Sequence, residues 1–181
     1  EQTDGKQMSI SSYRYSGDRT VLSYEEMNGY CNRAIKLNPN CKLTLILMQV
    51  NDMEDYMKNE GSGFVQDLLQ SVQDTVRRHV GHRGIVCPLQ PNLMSVVVQD
   101  INSDIKLRAF IESLRSRIAW NYRLIDPKYE ISFSFGVACY PENGMDMRIV
   151  HRKLVKALQM AQEKHANCYV IYKEHLHGEL S

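Results

Sequence analysis

Three carboxylates within four positions, Asp52, Glu54 and Asp55, follow directly on the apolar run Leu43 to Val50. Hard anionic oxygens in such a cluster could hold magnesium. The same residues also suit a helix start, Asp52 as its cap and Glu54 and Asp55 favoured by the positive end of the helix. The cap reading is preferred to the ligand reading. His79, His151, His165, His175 and His177 show no metal-ligand spacing beyond the loose His175-x-His177, and that pair reads as part of a solvated tail. The five cysteines (Cys31, Cys41, Cys87, Cys139, Cys168) form no C-x-x-C pair and are odd in number. They fit neither a zinc site nor a complete disulfide framework and read as small apolar fillers in a reducing cytoplasm. No G-x-S-x-G, P-loop or H-E-x-x-H occurs, so hydrolase, kinase-like and metalloprotease readings have no support.

The elements that must position these groups follow from periodicity. Met27, Tyr30, Cys31, Ala34 and Leu37 recur at helical spacing within Leu22 to Leu37, and Asn38-Pro39-Asn40 ends that helix. Leu43 to Val50 is apolar on both alternating faces, as a strand covered on both sides requires, and is placed at the centre of a sheet. Phe64 or Val65, Leu68, Leu69, Val72 and Val76 mark a long amphipathic helix, punctuated by Gly81 to Gly84. Ile85 to Pro88 and Leu93 to Gln99, joined by Gln90-Pro91-Asn92, predict a hairpin. A helix over residues 104 to 120 is expected from Leu107, Phe110, Ile111, Leu114 and Ile118, with Ser103 or Asp104 as its cap and Asp126-Pro127 breaking the chain beyond. Ile131, Phe133 and Phe135 alternate with Ser132 and Ser134, a strand with one bulky and one small face. Val150, Leu154, Ala157, Leu158 and Ala161 give a last helix, and Cys168 to Tyr172 a last strand. The order αβαββαβαβ predicts an α/β sandwich, a mixed and mostly antiparallel sheet of about five strands flanked by helices.

With 181 residues, one substantial core is expected. Residues 1–17 read as a linker or arm, 18–174 as the domain and 175–181 as a tail; a chain that starts at Glu1 is expected to be a piece of something longer. Twenty-two basic and 21 acidic residues, interspersed, leave no electrostatic footprint for nucleic acid. The longest apolar run is far short of a bilayer span and no signal peptide is visible, so no membrane contact is expected.

Four stretches carry a family resemblance: Asp18-Arg19-Thr20-Val21-Leu22 (D-x-T-G-L), Gln49 to Leu69 (D-x-D-x-F-K…G-H-x-x-G-D-x-x-L), Ser132 to Pro141 (S-x-G-V-A) and Ala157 to Tyr172 (A-L-Y-x-A-K-x-x-G-R-N). In this order the chain resembles a GGDEF, or diguanylate cyclase-like, domain. The resemblance implies a sheet-end site where two metals and GTP undergo phosphoryl transfer between two monomers. It places Gln49 and Asn92 at the metal carboxylates, and Gln90-Pro91-Asn92-Leu93-Met94 on the GGDEF signature. Met57 and Gln66 fall on the guanine-binding pair, and Gln162 and Ala166 on the triphosphate-holding Lys and Arg. Neutral amides bring no charge to a metal, and where two glycines would let the backbone approach the nucleotide, Gln90 brings a side chain and Pro91 removes one N–H donor and fixes φ. The family's product-inhibition motif, Arg-x-x-Asp, would fall at Gly81 to Gly84 and is absent, with His82 and Arg83 reading as loop residues.

The expectation is a catalytically inactive, degenerate GGDEF-like regulatory domain of a larger bacterial signalling or transcription-regulatory protein. It has no cofactor or metal, and its partners are neighbouring domains or a second copy. The alternatives are a divergent cyclase using Asp52, Glu54 or Asp55, and a nucleotide receptor without turnover.

Overall fold

The computed structural model describes residues 24–125, 131–164 and 167–178. Along the chain run α1 (Tyr24–Leu37), β1 (Leu43–Val50), α2 (Met53–Glu60), α3 (Ser62–Val80), a 3-10 turn (Gly81–Arg83), β2 (Gly84–Gln90), β3 (Leu93–Gln99), α4 (Asp104–Ile125), β4 (Phe133–Tyr140), α5 (Met147–Glu163), β5 (Cys168–Ile171) and α6 (Glu174–His177). The five strands form one sheet in the order β2-β3-β1-β4-β5. β1 is central and antiparallel to both neighbours, β2 and β3 form an antiparallel hairpin, and β4 and β5 are parallel. This is the expected mixed sheet.

The double-sided apolar pattern of β1 has its reason in the packing. Ile46, Met48 and Val50 join one core with the inner faces of α3 and α4, while Leu43, Leu45 and Leu47 join a second core with α1 and α5. The bulky face of β4, with Phe133, Phe135 and Val137, lies in the first core. On its small face α5 comes close enough that a Cβ built on Gly136 would stand 2.3 Å from the Leu158 backbone nitrogen. The glycine thus sets how deeply α5 seats on the sheet.

Several local expectations are corrected. The segment after β1 holds two helices: Gly61, at φ 87°, ends α2 and opens α3. β2 extends one residue before and two beyond the predicted Ile85 to Pro88, with an irregularity between Pro88 and Gln90 that an edge strand tolerates. α4 continues to Ile125, beyond the predicted 120, and Ser103 caps it by accepting from the Lys106 N–H at 3.2 Å. His175 and His177 lie in the α6 turn, where His177 Nδ1 accepts from the Lys173 N–H at 2.9 Å, so the described part of the predicted tail is folded back. The Asp18 to Leu22 motif, the arm 1–17, Asp126-Pro127 and Ala166 lie outside the described residues.

Candidate functional site

The end of β1, the tip of the β2–β3 hairpin, the start of β4 and the last turn of α5 meet at one end of the sheet. Register brings them there, since Gln49 pairs with Leu93 of the hairpin on one side and with Ser134 on the other. Gln162 reaches over from α5, and its amide Nε2 donates to Gln49 Oε1. Asn92 ties the hairpin tip to β1: its Nδ2 donates to the Val50 carbonyl at 3.1 Å, and its own carbonyl accepts from the Val50 N–H at 2.9 Å.

Asn51 extends this amide network, although its type alone did not single it out. Its Nδ2 donates to Ser132 Oγ at 2.9 Å and to Ser134 Oγ at 3.1 Å, and its backbone N–H donates to the Ser132 carbonyl at 2.9 Å. The sequence signal was present in the small polar face of Ser132 and Ser134. What it could not show was that Asn51 stands opposite that face. The result is a cluster of neutral amides and hydroxyls whose hydrogen bonds, among the described residues, involve no charged group. Such groups can bind and orient a polar ligand, but they supply no general base and no anionic oxygen for a hard cation.

The other sequence-selected residues lie around this centre. Pro91 is exposed at the hairpin turn and Gln90 is half-buried beside it. Met57 on α2 is 48% exposed, and Gln66 on α3 is exposed. Asp52 precedes α2 as expected, but with a left-handed backbone (φ 63°, ψ 25°) and no side-chain capping bond; only its carbonyl engages, accepting from the Tyr56 N–H at 3.0 Å. A side-chain cap requires an extended backbone at that position, which explains the correction. Glu54 and Asp55 occupy the first turn of α2, exposed to solvent. Burial raises the Tyr56 phenol above its ordinary range, and the nearby charges of Asp52 and Asp55 add to it. Among the described residues no group of three or more His, Cys, Asp or Glu side chains is arranged to hold a metal ion.

A family model described as diguanylate cyclase, GGDEF domain, matches residues 24–168. The chain belongs to the GGDEF domain family. No curated protein matches it. Among solved structures it is similar to a diguanylate cyclase/phosphodiesterase from Caldicellulosiruptor saccharolyticus (TM-score 0.70, 20% identity, covering 86% of this chain and 92% of that one). It is also similar to the active GGEEF domain of a diguanylate cyclase from Vibrio cholerae (0.71, 15%, 83% and 94%). A third is the GGDEF domain of DgcB from Caulobacter crescentus in complex with c-di-GMP (0.70, 13%, 87% and 98%). At these identities the likeness establishes the shared GGDEF fold. No helix among the described residues is long and apolar enough to cross a membrane.

Proposed function

We propose that this GGDEF domain does not synthesise cyclic di-GMP and serves as a regulatory or interaction module of a larger bacterial signalling or transcription-regulatory protein in the cytoplasm. Its partners are then neighbouring domains of that protein or a second copy of itself. One observation carries the reading. Gln49 and Gln162, the positions that the family resemblance gives to a metal carboxylate and a phosphate-holding cation, hydrogen-bond to each other as neutral amides.

The physical cost to catalysis is large. At a separation near 4 Å a unit charge contributes on the order of 4 kcal/mol to holding another in a protein-like dielectric, and an amide forgoes that at both the metal and the triphosphate. Asn92 adds a third neutral position, spent on closing the hairpin against Val50. With metal and phosphate terms both reduced, positioning by the remaining contacts cannot supply phosphoryl transfer, which rests on charge neutralisation.

The test is titration calorimetry of GTP, and separately of cyclic di-GMP, into the protein with magnesium present, followed by chromatographic analysis of products. The expected result is no turnover and no binding at near-millimolar nucleotide. Conversion of GTP would overturn the proposal and direct attention to Asp52, Glu54 and Asp55 as ligands.

A further inference from the structure

We propose that the cavity between the end of α3, the 3-10 turn Gly81–Arg83 and the first half of α4 is a docking socket for an acidic segment of a neighbouring protein domain. This inference rests on the interaction-module reading and names its surface and partner chemistry. The cavity measures about 580 Å³, and its lining includes His79, His82, Arg83 and Lys106, with Asp100 as its single acid.

Of the two basic side chains, Arg83 is held in place by its neighbours. Arg83 lies over the Phe110 ring at 4.9 Å and donates one N–H to the His79 carbonyl at 2.5 Å. A guanidinium has five N–H donors, so most of its capacity stays available. Neither Arg83 nor Lys106 forms an ion pair among the described residues. Some lysines elsewhere are matched, Lys173 to Asp104 and Glu142 and Lys153 to Glu174, whereas this pair lines a cavity with its charges open to a ligand.

The surroundings favour carboxylates over a nucleotide. Phe110 is only 6% exposed and already contacts His79, ring centroids 4.6 Å apart, as well as Arg83, so it offers no open aromatic face for a base. The Gly81 N–H donates to the Arg77 carbonyl and Gly84 pairs with Val98 in the sheet, so neither glycine offers a free cradle to phosphate. What remains is an open cavity with cationic side chains at its rim, which fits successive Asp or Glu side chains of an extended segment.

The test measures fluorescence anisotropy of a labelled hexaglutamate peptide with the whole chain at low and at physiological salt. Binding is expected to weaken with salt and to fall at least tenfold in the double variant Arg83→Gln/Lys106→Gln, judged folded by circular dichroism. Arg152→Gln, exposed on α5 across the sheet, should leave it unchanged. Unlabelled hexaglutamate should displace the probe where equal concentrations of cyclic di-GMP or inorganic phosphate do not. Absent binding, binding indifferent to the double variant, or displacement by cyclic di-GMP or phosphate in preference to the peptide would each overturn the socket. GTP turnover, assayed on the same preparations, separates the two proposals. Turnover with intact peptide binding defeats the inactive-domain reading alone, and no turnover without peptide binding defeats the socket alone.

Discussion

Gly136→Ala tests how α5 is seated, and with it the placement of Gln162 over Gln49. A Cβ at residue 136 would stand 2.3 Å from the Leu158 nitrogen, 2.7 Å from its Cα and 2.8 Å from the Leu154 carbonyl oxygen. Ordinary contact begins near 3.4 Å, so α5 must withdraw by about 1 Å. All three obstructing atoms are backbone, and no side chain can rotate away to relieve them. Overpacking of this kind costs ~1–3 kcal/mol, and an obstacle made of helix backbone belongs at the upper end. For a domain of this size ~3 kcal/mol lowers Tm by roughly 6–12 °C. Thermal unfolding followed by circular dichroism, with urea unfolding as a second measure, reads the effect directly. A Tm within about 2 °C of the parent would refute the close seating of α5 on β4, and with it the reasoning that places Gln162.

Two further outcomes are expected. Burial holds the His151 imidazole down from an ordinary 6.5 to about 4. The unfolded chain therefore binds the extra proton first, and stability present above pH ~6.5 erodes as pH falls, completing near pH 4, by ~3 kcal/mol at most; urea unfolding at pH 7 and pH 4.5 should show a smaller loss for His151→Gln, and an equal loss would discount His151 as the source. Burial also pushes the Cys31 thiol up to about 12 and Cys139 up to about 11, and Cys87 is fully buried. A thiol-disulfide reagent at pH 8 should therefore leave these three unmodified in the folded protein and modify all five cysteines in denaturant; rapid native modification mapped to Cys31 would contradict that burial.

Much of the fold could be read from residue pattern because two-sided burial leaves a strong trace. Leu43 to Val50 had to be central since neither face tolerated water, and Phe133 and Phe135 alternating with Ser132 and Ser134 announced a strand with one bulky and one small face, though not the helix that seats on the small one. Boundaries that depend on one backbone conformation were less legible. Asp52 has a residue type that caps helices, yet its left-handed backbone takes the side chain out of reach, and the turn at Glu174–His177 is held by Lys173 and His177 in a stretch without apolar periodicity. The candidate site was legible as a list of positions and not as a network. Gln49 and Gln162 are separated by 113 residues and Asn51 and Ser132 by 81, and only the sheet's register shows that their amides and hydroxyls satisfy one another. For the same reason His82 and Arg83, unremarkable in a loop, become meaningful only when α4 brings Lys106 and Phe110 beside them.

The central position of β1 also governs how the chain can be made. As the first strand among the described residues, it can pair with β3 once the hairpin is made, but its other edge waits for β4, which joins Val50 to Phe133 and Leu43 to Tyr140. During synthesis every chain that ends before about residue 140 therefore carries an apolar strand with one unsatisfied edge, and its second core lacks α5. Such a strand is a template for pairing with another nascent copy. Assembly of this domain is thus committed late, when β4 and α5 emerge to cover that edge and fill the second core, with β5 added last at the edge of the sheet.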